Sequence, residues 1–502
     1  MTKRLAPKTL ALWLIPLAFL AYFFYQPLVA IFRLVFSERF SQSWALFEWA
    51  QVSKPLGFTL WQAVLSTCLT LLVGLPAAWL FARFDFRGRK LVRAVSLLPF
   101  ILPTVVVAAA FNTLIGPRGW INQGLMALFN LSSPPLKLLN SLPAILLAHV
   151  FYNTSIVIRI VGSAWSRLNP RLGQAASMLG ASPWQVFRKI SLPLLLPSLL
   201  SASLLVFLFD FTSFGVVLML GGPRFSTIEV EIYNQAMNRF NLPAAGLLSV
   251  IQLGITLLVT LLQNRVNTPR YGKAALTPER GALRRPVGGW QKTFVVIMVV
   301  SLLVMFGAPV FSLITRSFVT LDADRGQRGE VVPGFTLRYY RELFQNRSGS
   351  IFYVPPVQAI RNSLLYSGVT ILIAGFLGTL TAYAMARRVW LNRLLEPLFM
   401  LPLGASAVTL GLGFLLVFNR PPWINSRFPL LIPIAHSLIA LPFVVRTILP
   451  AIRGIPHSLR EASRTLGAAP WQVFLRVDLP ILLRSLLVSM VFAFTISLGE
   501  FG

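Results

Sequence analysis

The chain has 502 residues, of which 56% are hydrophobic and only 12% are charged, and its mean hydropathy is +0.71. Soluble globular proteins carry about 25% charged residues, so this surplus of apolar side chains excludes a wholly water-soluble domain and requires lipid as solvent. The net charge of +30 would by itself fit a nucleic-acid-binding protein, so the distribution of that charge has to decide.

Eleven segments are long and apolar enough to be predicted as membrane-spanning helices, each of which needs roughly 20 apolar residues. In chain order they are 10–32, 58–82, 94–116, 141–165, 192–220, 243–264, 293–315, 361–386, 394–418, 428–451 and 480–502. The first follows a basic N-terminus, but its apolar run is too long for a signal peptide, so we interpret it as an uncleaved span. The predicted fold class is all-α, a polytopic membrane protein.

Lysine and arginine in the short loops predict the orientation of the chain. Three loops are rich in these residues: 83–93, 265–292 and 387–393. The intervening loops 117–140 and 221–241 hold two basic residues each. We therefore place the N-terminus and the basic loops in the cytoplasm. The positive charge is an orientation signal, and no nucleic-acid partner is expected.

One stretch of the chain occurs twice. Residues 172–200 align with residues 459–487 at an offset of 287 without a gap, and 17 of the 29 pairs are identical. At the same offset His149 aligns with His436. This similarity predicts an internal duplication. Because both copies follow the fourth span of their half, the halves are expected to be parallel, related by an axis along the membrane normal, with a central path between them.

The duplication predicts the domain organisation. Residues 1–265 are expected to form the first transmembrane domain, 266–292 a basic cytoplasmic linker, and 293–502 the second transmembrane domain. Gly502 aligns with Gly215, after which about 50 residues follow in the first half. The second domain is therefore expected to lack its last helix, and the chain to be a C-terminally truncated part of a longer protein. The alternative is a native protein of eleven spans.

The duplicated segment predicts a cytoplasmic loop in each half, at residues 170–192 and 457–479. Each reads as a short helix, a glycine, a second short helix and a proline. Gly180 and Gly467 are expected to adopt a positive φ. The Leu-Pro pairs at the end of each loop are expected to open the next span, since proline in the first turn of a helix costs no hydrogen bond.

Aromatic residues are predicted to form an exposed face on each second short helix. They are Trp184 and Phe187 in the first copy, and Trp471 and Phe474 in the second. Such a face suits insertion into a groove on a partner. The alternative is a connector that packs on its own protein. The occurrence of the face at two equivalent places favours a partner that is itself a dimer.

These loops resemble the signature of the type I ABC importer permeases, which is E-A-A, three residues, G, nine residues, I, one residue, L-P. The first copy reads QAASMLGASPWQVFRKISLP and the second EASRTLGAAPWQVFLRVDLP. Gln174 and Ala175, and Glu461 and Ala462, stand at the head of the signature. In this family the loop is the coupling helix that docks into an ATP-binding subunit. The replacement of the first acid by Gln174 suggests that the two loops are not equivalent.

The resemblance implies partners and a location. The expected partners are two copies of an ABC ATP-binding subunit on the cytoplasmic side and an extracytoplasmic solute-binding protein, and the expected location is the bacterial inner membrane. Two halves fused in one chain resemble the thiamine and ferric-iron permeases most, so one of these solutes is expected. The alternatives are a sulfate- or molybdate-type oxyanion, a polyamine, or a secondary transporter driven by an ion gradient.

Motifs for catalysis are missing from the sequence. It contains no G-x-x-x-x-G-K-[ST] phosphate-binding loop, no HExxH motif and only one cysteine, Cys68. We therefore expect a transporter subunit and not an enzyme, with no catalytic residues, no metal site and no cofactor bound by this chain. ATP is expected to be used by the partner subunit.

Ionisable residues inside the predicted spans are candidates for the solute path, because such residues are costly in lipid. They are Asp210, Glu500, His149 and His436. Asp210 and Glu500 are expected near the outer ends of equivalent spans, where they would form an acidic vestibule suited to a cation. The alternatives are that the carboxylates are paired or hydrated at the interface, and that the histidines hydrogen-bond a neighbouring helix.

Overall fold

The computed structural model describes residues 7–36, 49–266, 283–320, 334–345, 353–387, 391–421, 423 and 429–500. These residues are almost entirely helical. Their two strands, Val319–Thr320 and Gly334–Phe335, are short and pair antiparallel. The predicted fold class, an all-α polytopic membrane protein, is confirmed. The boundaries of the two transmembrane domains stay predictions, and most of the linker lies outside the described residues.

Nine helices of the described residues are long and apolar enough to span a membrane. They are α1 (Leu12–Val35), α2 (Val52–Arg83), α3 (Leu142–Ser166), α4 (Pro183–Phe211), α5 (Leu242–Gln263), α6 (Gly289–Arg316), α7 (Pro356–Ala386), α8 (Leu431–Gly454) and α9 (Pro470–Gly499). Shorter helices are Arg89–Val95, Leu98–Ile101, Thr104–Ile115, Trp120–Phe129, Pro170–Met178, Gly215–Leu220, Ile228–Tyr233, Arg338–Glu342 and His457–Thr465.

The third and ninth predicted spans, 94–116 and 394–418, are not single straight helices, which corrects the count of eleven. The third is divided among three of the short helices, and the ninth is a pair, Leu395–Gly404 and Ala407–Phe418, bent by 102°. Proline explains both breaks, because it lacks an amide donor and disfavours helical geometry in the residue before it. Pro103 precedes the helix Thr104–Ile115, and Pro402 lies just before the bend.

One arrangement of three helices occurs twice. Helix α2 packs against α3 and α4, and α7 packs in the same way against α8 and α9. A Cβ atom at Gly74 would lie 2.7 Å from Cβ of Val157, and one at Gly378 would lie 2.9 Å from Cβ of Val444. Glycine is needed at both positions because the helix backbones approach closely there, as small residues allow in membrane helices.

The first long helix of each half packs on the other half. Helix α1 packs against α7 and against Ala407–Phe418, while α6 packs against Thr104–Ile115 and against α2. The two halves are therefore interlocked rather than placed side by side.

Specific side chains hold each of these two helices on the opposite half, an arrangement that we call the exchange of first helices. The buried indole ring of Trp13 on α1 lies 5.3 Å from the ring of Phe399, and the hydroxyl of Tyr25 donates to the backbone carbonyl of Leu398 at 3.0 Å. On the opposite side, the hydroxyl groups of Thr113 and Ser312 are hydrogen-bonded at 2.9 Å. Each contact joins residues about 200 or more positions apart, so the exchange stabilises the whole assembly of helices.

Replacing Gly378 with alanine is expected to destabilise the protein by about 1–3 kcal/mol, the usual cost of overpacking a well-filled interface. Gly368→Ala is the matched control, because it lies on the same helix and a Cβ atom there would meet no atom within 4 Å. The measurement is the thermal unfolding midpoint of each purified variant in detergent. Equal midpoints for the two variants would contradict the close helix contact.

Candidate functional site

Both predicted loops turn at their glycine. Gly180 has φ +83° and Gly467 has φ +81°. At the first turn the amide of Gly180 donates to the carbonyl of Ser177, and the following amide donates back across the turn to Ala176. The second loop repeats this pattern from Gly467 to Arg464. The turn satisfies the last carbonyl groups of each short helix, which is the usual task of a glycine just past a helix end.

The two loops present the same exposed apolar surface. Trp184 is 65% exposed and Trp471 is 63% exposed, while the leucines before the glycines, Leu179 and Leu466, are 89% and 88% exposed. At the head of the loops Gln174, Ala175, Glu461 and Ala462 are also exposed. Large apolar side chains presented twice, at equivalent places, are typical of a surface that binds another protein.

The second part of each loop is not a separate short helix, which corrects the prediction. Helices α4 and α9 begin at Pro183 and Pro470 and run without a break into the membrane. In each helix a wide π-helical turn, Phe187–Ser191 in the first copy and Phe474–Asp478 in the second, lies immediately before the Leu-Pro pair. The wider turn accommodates a proline within a continuous helix.

The loops are attached to the protein differently. The ring of Phe187 stacks on Trp165 at 6.1 Å, whereas the ring of Phe474 contacts Tyr383 at 5.9 Å. In the second loop Arg460 also forms an ion pair with Asp478 at 2.8 Å, and the hydroxyl of Tyr383 donates to the same carboxylate at 3.3 Å. The exposed surfaces of the two loops are therefore alike, whereas their contacts with the rest of the protein differ.

A central cavity of about 330 Å³ lies between the two halves. Its lining includes four groups that can carry charge: His149, Asp210, Glu229 and Glu500. It is bordered by helix ends and interruptions at 102–103, 212–214, 405–406 and 499–500. Interrupted helices at membrane depth are tolerated where they line a cavity, so the breaks are consistent with a cavity between the halves, which is the candidate for the predicted path.

Asp210 is the centre of a buried polar cluster in this cavity. Its side chain is fully buried, and its Oδ1 atom accepts a hydrogen bond from the amide of Asn153 at 2.6 Å and lies 3.4 Å from Nδ1 of His149. The other carboxylate oxygen, Oδ2, has no hydrogen-bond partner among the described residues. Nε2 of His149 is hydrogen-bonded to the hydroxyl of Ser213 at 2.8 Å.

Glu229 is a site residue that the sequence did not single out. It lies on Ile228–Tyr233, between α4 and α5, and is 1% exposed. Its carboxyl accepts a hydrogen bond from the amide of Gln252 at 2.6 Å. Burial raises the pKa of Glu229 to about 8, and the nearby negative charge of Glu500 acts in the same direction. The sequence predicts a loop between spans over residues 221–241, which contain Glu229. Nothing in the polar surroundings of Glu229 indicates that its side chain is buried.

His436 is not among the residues that line this cavity. Its Nδ1 is hydrogen-bonded to the hydroxyl of Ser497 at 2.8 Å, and Ser497 donates in turn to Thr370 at 3.2 Å. Ser497 occupies the place of Asp210 in the repeat, 287 residues later. The structure therefore brings Asp210, Glu500 and His149 together around one cavity, and it places His436 in a hydrogen bond with Ser497 on the other half.

An apolar layer separates this outer cavity from a second, inner one. The inner cavity has a volume of about 270 Å³ and is lined by Arg159 and Arg446. Ile156, Phe209 and Phe443 line both cavities. Ile156 and Phe443 are equivalent in the repeat. A constriction of apolar side chains can close a path by excluding water, so the layer has the character of a gate.

Comparison with known proteins identifies the family. The model for the binding-protein-dependent transport system inner membrane component matches residues 70–270 and 374–502, about two thirds of the chain. The chain therefore belongs to this family. It is a multi-pass protein of the bacterial inner membrane and the permease component of an ABC importer.

The chain is also similar to individual proteins. The chain is 27% identical to the probable ABC transporter permease protein y4fN of Sinorhizobium fredii, over 90% of this chain and 79% of the relative. It is 28% identical to the thiamine transport system permease protein ThiP of Brucella abortus, over 89% of this chain and 77% of the relative. Among solved structures, a bacterial alginate ABC transporter in complex with its periplasmic protein matches at 21% identity with a TM-score of 0.45, over 51% of this chain and 93% of that chain.

Replacing Phe443 with alanine is expected to open the apolar layer. Solute entry without ATP should become about tenfold faster, which corresponds to a barrier lowered by about 1.4 kcal/mol. The measurement is passive solute uptake into proteoliposomes that contain the variant. Phe376→Ala, at a position that is 58% exposed on α7, is the matched control and should not leak. Equal leakage from the two variants would show that the layer does not gate the path.

Proposed function

We propose that this permease moves a cationic solute, thiamine or ferric iron, from an extracytoplasmic binding protein to the cytoplasm. The observation that supports this best is the outer cavity, where carboxyl groups from both halves, Asp210, Glu229 and Glu500, line one space. Carboxylates in a low-dielectric cavity attract a cation strongly. Relatives that transport thiamine or ferric iron, among them the putative ferric permease FbpB 1 of Haemophilus influenzae at 26% identity, support the same class of solute.

The arrangement suits a cation in passage better than a tightly bound metal ion. Among the described residues, no three His, Cys, Asp or Glu side chains are close enough to hold a metal. Because the pKa of Glu229 is about 8, its carboxyl is mostly protonated at neutral pH when the cavity is empty. A cation that enters would displace this proton, so entry should become easier as the pH rises through 8.

The proposed energy source is a separate ATPase. Two copies of an ABC ATP-binding subunit would bind the loops 170–192 and 457–479 through the exposed faces of Trp184 and Trp471. ATP would be used by these partners, and the permease itself would hold no catalytic residue, metal or cofactor. Closure of the ATPase dimer would move the loops, and through α4 and α9 the motion would reach the apolar layer at Phe209 and Phe443.

A second solute class is favoured by one observation. Arg159 and Arg446 line the inner cavity, one from each half. A sulfate- or molybdate-type oxyanion would be attracted to this pair. The rival from another class, a secondary transporter driven by an ion gradient, has no use for two exposed docking loops.

The test is ATP hydrolysis by the permease reconstituted with its ATPase subunit and its binding protein. The binding protein is supplied empty, or loaded with thiamine, ferric iron or molybdate. Stimulation by a cation-loaded form is expected, and Asp210→Asn should reduce it by about tenfold, the effect of losing about 1.4 kcal/mol of interaction. Asp85→Asn, on an exposed cytoplasmic residue, is the control of equal charge change. Stimulation only by the molybdate-loaded form would overturn the proposed solute class.

Docking is tested separately at the glycine turns. Valine at Gly180 and Gly467 is expected to weaken binding of the ATPase subunit, because a side chain at positive φ costs roughly 1–2 kcal/mol per residue. Gly454→Ala is the control, since its φ is not positive and a Cβ atom there meets no atom within 4 Å. The measurement is co-purification of the ATPase subunit together with solute uptake. If both persist in the double valine variant, the loops are not the docking sites.

A further inference from the structure

A large cavity lies beneath the first coupling loop, away from the central path. Its volume is about 1680 Å³, above the roughly 300–1,000 Å³ of typical small-molecule pockets. It is enclosed by α2, α3, α4 and the start of α6. Its lining includes Trp79, Arg83, Trp165, Phe187, Arg284 and Arg285.

The mouth of this cavity is basic. The chain just before α6 pairs with the end of α2: the amide of Arg284 donates to the carbonyl of Arg83 at 3.0 Å, and the amide of Asp85 donates to the carbonyl of Arg284 at 3.0 Å. This pairing brings the guanidinium groups of Arg83 and Arg284 close enough to repel each other. Among the described residues, no carboxylate forms an ion pair with Arg83, Arg284 or Arg285.

The depth of the cavity is apolar. Leu75, Val161, Leu195 and Leu199 line it on three helices. Along α4 its lining extends from Pro183 to Leu199, which is about 24 Å at 1.5 Å per residue. Half of the hydrocarbon core of a bilayer is about 15 Å thick. The cavity therefore reaches from the cytoplasmic interface, where the loop charges place its mouth, well into one leaflet.

The second half fills the equivalent space with its own side chains. Gly173 and Ser191 line the cavity and correspond in the repeat, at the offset of 287, to Arg460 and Asp478. Trp79, which also lines it, lies five residues after Gly74, as Tyr383 lies five residues after Gly378, and those two glycines make the equivalent helix contacts described above. Tyr383, Arg460 and Asp478 are joined by the ion pair and the hydrogen bond described above. The first half has a glycine and a serine where the second has an arginine and an aspartate, so the space behind Phe187 stays open.

We propose that this cavity binds one anionic phospholipid of the cytoplasmic leaflet. Its phosphate would lie among Arg83, Arg284 and Arg285, and an acyl chain would extend along Leu195 and Leu199. Cytoplasmic leaflets are rich in anionic lipids, and basic pockets between membrane helices on that side bind their head groups. The lipid would support Phe187 from behind, as the ion pair of Arg460 and Asp478 supports the second loop. This inference does not depend on the identity of the solute.

The first test uses the unaltered permease with its ATPase subunit, in nanodiscs of phosphatidylethanolamine with phosphatidylglycerol. The phosphatidylglycerol carries a photoreactive group at the end of an acyl chain, and the cross-linked peptides are mapped. Cross-links to residues 192–199 of α4 are expected, and cross-links at the equivalent residues 479–486 of α9 are not. Labelling that is equal with photoreactive phosphatidylethanolamine, or that is absent from 192–199, would overturn the proposal.

The second test removes the positive charge at the mouth of the cavity or fills the open space behind Phe187. The triple variant Arg83→Gln, Arg284→Gln and Arg285→Gln should lose cross-linking by about tenfold or more, since each basic residue near an anionic surface contributes to lipid binding. Gly173→Arg with Ser191→Asp copies the second half and should displace the lipid while keeping the arginines. Arg87→Gln, on an exposed residue of the same loop, is the control. Full cross-linking in both cavity variants, or its loss on addition of inorganic phosphate alone, would reject a phospholipid site.

Discussion

Within the hydrocarbon layer a backbone amide finds no water, and this constraint decides where the helices of the permease run straight and where they break. In the part of the chain that the structure describes, nine long helices satisfy their backbone internally. The interruptions at 102–103 and 405–406 border the same outer cavity, together with the ends of α4 and α9. The places where regular helix ends therefore surround the cavity that we propose as the path, and its buried polar groups are concentrated there.

The two halves have matching exposed loops, but they contribute different side chains to the cavity between them. The loops carry matching glycine turns and matching exposed tryptophans, as two identical partners would require. The cavity between the halves has no such requirement, because one solute on the axis meets both halves at once. This explains why Asp210, which lines that cavity, has Ser497 as its counterpart in the repeat.

Much of this organisation can be predicted from the sequence, and the predictions that are wrong have physical causes. Hydropathy located the membrane segments, and the repeat located the loops. Hydropathy does not register the geometry of proline, so it predicts one helix over 94–116 where the structure has three short ones. Proline is favoured in the first turn of a helix, so the sequence predicts that Pro193 begins a span, but the helix begins at Pro183 and reaches Pro193 through a π-helical turn. Glu229 was missed because its polar surroundings indicate a surface loop, and only the folding of that segment between the halves buries it.

The exchange of first helices has a consequence for how the protein is made. Helix α1 leaves the ribosome before the second half is made, and part of its packing surface, Ala407–Phe418, is synthesised ~380 residues later, which takes roughly 20–80 s at 5–20 residues per second. During that interval Trp13 and Tyr25 face lipid or an assembly factor instead of their final neighbours. Fusing both halves in one polypeptide tethers α1 to its partner throughout the wait. Two separate chains would have to find each other in the membrane before either first helix was buried.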